Sequence, residues 1–180
     1  YVYTYNGSGG WPQTTMLKAS DAASGDILGE SGISISHDGT RILVASRNND
    51  DTYTNSGSAY VFDLVSGSWS QTQKLVASNP GTNDHFGRVK ISGDGNIIYV
   101  ASHAEDGPND ALTDSGALYY FTNVNGTWTE QQLIRPSVTN ASDIFGLVIG
   151  SSYDGATMVR SSRGMNSSRG AAFMFGLQNG

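Results

Sequence analysis

The sequence predicts an all-β chain built from one four-stranded antiparallel unit used about three times. Three observations carry this expectation. Markers recur in a fixed order: Trp11, Trp69 and Trp128 lie 58 and 59 residues apart, and Asp26-Ile-Leu-Gly29, Asp84-His-Phe-Gly87 and Asp143-Ile-Phe-Gly146 keep the same spacing. Between the markers the apolar residues follow a period of two, the period of strands. No segment has a helical period; the nearest, Ala19 to Asp26, is rich in Ala, Ser and Gly and reads as loop.

Each element can be justified in turn. In the first full repeat Gly32 to Ser36 alternates, Asp38-Gly39 turns, and Arg41 to Ser46 runs apolar. Asp-Gly between two such runs predicts a hairpin with a type I′ turn, which needs φ > 0 at both central residues. Asp94-Gly95 and Asp154-Gly155 repeat the signal. A polar loop follows each hairpin, and an aromatic third strand follows the loop: Gly57 to Phe62, Gly116 to Phe121 and Gly170 to Phe175. Ser66-Gly67 and Asn125-Gly126 then turn the chain into a fourth strand that opens at Trp69 or Trp128. Strands apolar on both faces belong to sheets sandwiched between neighbours. Four-stranded sheets repeated in this way are the blades of a β-propeller.

By this reading residues 1–18 supply the third and fourth strands of a partial blade, 19–76 and 77–135 are whole blades, and 136–180 is a blade lacking its last strand. That is about three blades, where a ring closes with ~4–8. The chain therefore reads as a segment of a larger propeller, or as half of a six-bladed ring made by two copies. Further blades of the same chain or a second copy are expected to cover its ends, near Tyr1, Tyr3, Phe173 and Phe175.

The motif string, Phe86-Gly87 and Phe145-Gly146, Asp-Gly, Val44-Ala-Ser46, Val100-Ala-Ser102 and Val159-Arg-Ser161, then Gly-Ala before an aromatic strand, resembles the FG-GAP repeat. Leu28-Gly29 replaces the first Phe-Gly, and Gly-Ala-Pro is absent after the second strand. The resemblance implies the propeller fold found in integrin α-subunits and in microbial and viral surface proteins, with roles in adhesion, recognition and, less often, catalysis.

Composition excludes several classes. Charged residues are 14%, against about 25% in a typical chain, and no long charge block favours disorder. No apolar run approaches the ~18 residues of a membrane helix, so no membrane insertion is expected. A net charge of −6 argues against a nucleic-acid partner. With no cysteine there is no disulfide, zinc thiolate or cysteine nucleophile.

Candidate sites are few. The integrin-like resemblance raises calcium, but each hairpin turn carries one carboxylate where Ca²⁺ takes 6–8 oxygens. No cofactor is expected. Asp50, Asp51, Glu105, Asp106 and Asp110, with Asp114, lie in loops after the second strand and read as solvated contact loops. Arg163 and Arg169 replace acids there in the third repeat and, with Arg160, form the one basic cluster, able to grip an anion. Asp26, Asp84 and Asp143 read as braces of the turn into each first strand. Trp11, Trp69 and Trp128 read as packing between blades. His37, His85 and His103 fall at different repeat positions and read as surface residues. Asn6, Asn125, Asn140 and Asn166 are glycosylation acceptors if the chain enters a eukaryotic secretory route.

The function expected from these features is a non-catalytic recognition or structural module at a cell, extracellular or virion surface, contacting protein or glycan. The alternative is the propeller domain of a glycan-active hydrolase or lyase. A convergent carboxylate pair about 5–9.5 Å apart would favour that alternative.

Overall fold

The computed structural model describes residues 1–177. It is all-β, with thirteen strands, a single 3-10 turn at Pro108–Asp110 and one helical turn, α1 (Met165–Ser168), among the described residues. β1 (Val2–Tyr3) and β2 (Gln13–Thr15) form a small antiparallel pair. β3 (Ile33–Ile35), β4 (Arg41–Ser46), β5 (Ser58–Val65) and β6 (Ser68–Leu75) form one antiparallel sheet in chain order. β7 (Phe86–Ile91), β8 (Ile97–Ser102), β9 (Ala117–Val124) and β10 (Thr127–Ile134) repeat it. β11 (Phe145–Ser151), β12 (Thr157–Ser162) and β13 (Ala171–Gly176) form a third sheet of three strands.

Alternation along the middle strands builds the packing. Leu43, Ala45, Ala59 and Val61 leave one face of the first sheet and meet Ile98, Val100, Tyr119 and Phe121 of the second. Ile42, Val44, Tyr60 and Phe62 leave the opposite face and pack on Val2, Leu17 and Leu28. Tyr99, Ala101 and Leu118 in turn meet Phe145, Met158, Phe173 and Phe175 of the third sheet. Sheets stack face on face, with the first strand β7 touching β3 on one side and β11 on the other.

The recurring motifs are the fasteners of this stack. The backbone N–H groups of Asn83, His85 and Phe86 donate to the carbonyls of Thr54, Asn55 and Ser56 on the preceding sheet. Ser142, Ile144 and Phe145 repeat the pattern onto Thr113, Asp114 and Ser115. The glycine after each acceptor run must be bare: a Cβ on Gly57 or Gly116 would sit 2.6 Å from the amide nitrogen of Phe86 or Phe145. Gly87 likewise faces Ser31 Oγ and Arg47 Cβ across the seam.

Two expectations are corrected. The Asp-Gly hairpins are not type I′. Gly39 N–H donates to Ser36 O at 3.0 Å, so His37 and Asp38 occupy the centre with ordinary negative φ, and glycine, at φ 71°, comes fourth. This is the pattern of a type I turn. The third repeat is also aligned one residue further along than its Val-Arg-Ser string implies. Ser162, not Ser161, donates to Asp143 O, as Ser46 donates to Asp26 O, and Ser162 pairs with Ala171 as Ser102 pairs with Ala117. Arg160 therefore stands where the other sheets have Val44 and Val100.

Candidate functional site

That one-residue correction exposes a repeated position. The residue directly after the second strand of each sheet is basic: Arg47, His103 and Arg163. Arg47 reaches the second sheet through Gly87 and through its carbonyl, which lies 3.3 Å from His85 Nδ1. The imidazoles of His85 and His103 stack with centroids 5.8 Å apart. Burial, then the charges of Arg88, His85, Arg47 and Arg163, press the pKa of His103 down to about 4. Its Nδ1 is buried without a hydrogen-bond partner.

Between the first strands runs a groove of about 190 Å³ lined by Ser31, Gly32, Arg88, Val89, Leu147, Val148 and Ile149. Arg88 Nη1 donates to Ser31 O at 3.3 Å, while Arg88 Nε and Ser31 Oγ have no partner. Ser31 is itself buried. Glu30 pairs with Arg47, Nε to Oε2 at 2.7 Å. The groove thus holds two unpartnered donors, Arg88 Nε and Ser31 Oγ, and the His103 imidazole lies in the second sheet within the electrostatic reach of Arg88. A neutral imidazole with a free nitrogen can accept a proton, and a buried hydroxyl or guanidinium can hold a carbonyl or anionic oxygen.

The other anticipated residues fall as follows. Asp26, Asp84 and Asp143 each accept the backbone N–H three residues earlier, from Ala23, Gly81 and Asn140. Glu105 is corrected: it is 1% exposed, not a solvated loop residue. Its carboxylate is bound by Arg135, whose Nε lies at 3.2 Å, by Asn79 Nδ2 at 3.2 Å and by Gly107 N–H at 3.0 Å. Burial, opposed by the Gly81 N–H and reinforced by the nearby charge of Glu105, pushes the Asp84 carboxyl up to about 7. In the first sheet the place of Glu105 belongs to neutral Asn49, bonded to Asp26 and Lys74.

Asp50 caps its loop by accepting from Asn55 N–H, Asp51 pairs with Lys74, and Asp106 accepts from Asp114 N–H; Asp110 is exposed. Arg163 and Arg169 are exposed, but Arg160 is buried in the seam against the Phe145 ring, so the three do not form one surface cluster. Trp128 is buried under Arg41 of the preceding sheet and Trp69 is half-buried, whereas Trp11 is 65% exposed; packing between sheets does not extend to it. His37 lies edge-on to Tyr153, 5.5 Å away. Asn6, Asn125, Asn140 and Asn166 are all exposed. Asp38, Asp94 and Asp154 accept hydrogen bonds within their own turns, from Ser36, Ser92 and Ser152. No group of three His, Asp or Glu close enough to hold a metal occurs among the described residues.

Comparison with known proteins decides the family. A model of the FG-GAP repeat matches residues 11–62 and 69–121, more than half of the chain. The chain belongs to the FG-GAP repeat family. No curated protein matches it. Among solved structures it is similar to the periplasmic gluconolactonase PpgL of Pseudomonas aeruginosa, at 17% identity and TM-score 0.53, covering 80% of this chain and 38% of that one. It is also similar to a protein of Bacteroides uniformis assigned as a 6-phosphogluconolactonase, at 15% identity and TM-score 0.50, covering 81% and 36%. The FG-GAP chain thus spans well under half the length of these structures. The expectation that it is not an enzyme is corrected by this finding: folds like this one serve as lactonases. At such identities the likeness establishes fold alone, and the reaction has to be argued from residues.

Proposed function

We propose that this FG-GAP chain is part of the propeller of a hydrolase that opens a sugar-derived lactone or ester at the groove mouth beside Arg88. The observation that carries this reading is the pair of unpartnered donors, Ser31 Oγ and Arg88 Nε, in a groove where three sheets meet, together with a His103 imidazole kept neutral by burial and by the charge of Arg88 and whose Nδ1 has no partner. His103 takes the proton of the attacking water, Ser31 Oγ donates to the carbonyl oxygen, and Arg88 binds the substrate. The gluconolactonase-like fold of the neighbours supports the substrate class. Further blades, from the same chain or a second copy, cover the free edge of β13, where Met174 is 77% exposed.

The test is hydrolysis of gluconolactone by the protein that carries this chain. His103→Gln is expected to lower kcat about 10²–10⁴-fold, the range for loss of a general base, while Arg88→Met raises KM. Hydrolysis unchanged in His103→Gln would end this reading.

A further inference from the structure

A second cavity, of about 600 Å³, lies between the β1–β2 pair and the first full sheet. Its volume is within the ~300–1,000 Å³ of small-molecule pockets. It shares no lining residue with the groove beside Arg88. Tyr5, Trp11 and Trp69 supply aromatic walls, and Thr4, Thr14 and Ser68 add hydroxyls. No charged side chain lines it among the described residues.

The repeat is broken at this place. Aligned on the tryptophans, Thr4 stands where the whole sheets have Phe62 and Phe121, and Tyr5 where they have Asp63 and Thr122. Both phenylalanines are buried, whereas Thr4 is exposed. Asp63 pairs with Arg41, a role that Tyr5 cannot play. Trp11 keeps its identity but not its surroundings. Trp128 is buried under Arg41, while Trp11 is 65% exposed and lies against Tyr5, ring centroids 5.3 Å apart and tilted by 47°. Tilted rings do not stack face to face, so each keeps π surface for a third group.

The hydroxyls narrow the choice of that group. Thr14 Oγ1 donates to Val2 O at 3.1 Å, so Thr4 Oγ1 donates to Thr14 across 3.3 Å and keeps its own lone pairs for an incoming donor. An apolar protein segment would strip water from these oxygens without replacing its hydrogen bonds, which is costly. A phosphate, carboxylate or ammonium group would find no opposite charge. A neutral pyranose meets both conditions. Its C–H face is weakly positive and is attracted to an aromatic quadrupole, and its rim of hydroxyls donates and accepts as threonine and serine do.

We propose that this cavity binds a neutral oligosaccharide, with pyranose faces laid against Trp11 and Tyr5. The binding stands apart from the reading of the Arg88 groove and requires no lactone opening.

The experiment is calorimetric titration of the protein that carries this chain. The neutral probes are cellotriose, maltotriose and triacetylchitotriose, and trigalacturonate is the charged arm. The site variants are Trp11→Ala and Tyr5→Ala. Tyr53→Ala is the control, because Tyr53 is equally exposed and lies outside the cavity. A neutral trisaccharide is expected to bind, about tenfold weaker in each site variant and unchanged in the control. Trp11→Cys places a thiol in a chain that has none, and maleimide labelling of the peptide holding it reads access to the cavity. The thiol is expected to label in the native protein and to be protected by the sugar that binds. Binding by none of the three neutral sugars would overturn the proposal. So would trigalacturonate binding as tightly, an equal loss in Tyr53→Ala, or a thiol left unlabelled because further protein covers the cavity. His103→Gln is expected to leave sugar binding intact and Trp11→Ala to leave lactone hydrolysis intact, so the two readings fail separately.

Discussion

Gly116→Ala is expected to remove about 2–5 kcal/mol of stability, read as a lowered urea midpoint at unchanged slope. Two costs combine. Gly116 has φ +84°, a conformation that costs a residue with a Cβ roughly 1–2 kcal/mol. The new methyl would also press on the Phe145 backbone, 2.6 Å from its nitrogen, and overpacking of this kind costs about 1–3 kcal/mol. Backbone cannot swing aside as the end of a long side chain can, and here it is also donating to Ser115 O at 2.9 Å. Gly57→Ala, which meets Phe86 in the same way, should behave alike. Gly126→Ala is the control: its φ is +85°, but nothing lies within 4 Å of the added carbon, so only the conformational cost of roughly 1–2 kcal/mol remains. Equal losses at Gly116 and Gly126 would show that the seam between sheets is looser than described.

Arg135→Met is the second large effect, expected to cost about 3–5 kcal/mol, the range for stranding one member of a buried ion pair. Glu105 is 1% exposed, and Arg135 is its one cationic partner among the described residues. Without it the carboxylate keeps Asn79 and Gly107 but no opposing charge, beside an Asp84 already driven up to about 7. Adding Glu105→Gln to Arg135→Met should restore most of the loss, because the amide carries no charge to strand. Thermal melts of the single and double variants check this. A double variant no better than Arg135→Met would place the cost in packing rather than charge.

Much of the fold is legible in the sequence because the repeat is physical. Phe-Gly, the Asp before it and the Gly that precedes each third strand recur because adjacent sheets are fastened by the same backbone ladder and the same bare glycine. The turns were harder to read. Asp-Gly marks each hairpin correctly, yet the type goes with Asp38 accepting from both Ser36 Oγ and the Thr40 N–H, and that depends on the length of the connection. The site was obscured by one residue of misalignment. Read as Val159-Arg-Ser161, the third repeat scatters its basic residues; aligned on Ser162, it shows Arg47, His103 and Arg163 at one position. Arg88 carried no such signal, since Glu30 and Leu147 follow the corresponding glycines. Glu105 likewise looks like any acid in a polar loop until Arg135, thirty residues away, is brought against it.

The most direct measurement of the site is the titration of the three histidines followed by NMR of their ring nitrogens. Burial and the surrounding guanidiniums hold the folded pKa of His103 at about 4, below its ordinary 6.5. A base with a depressed folded pKa stays neutral in the native state while the unfolded chain takes up a proton, so this residue's contribution to stability is present above pH 6.5 and is lost as pH falls towards 4. The account predicts that one imidazole remains neutral at pH 5.5, that its signals vanish in His103→Gln, and that Arg88→Met moves its midpoint upward. A His103 that titrates near 6.5, indifferent to Arg88, would contradict the buried, neutral imidazole on which the proposed chemistry rests.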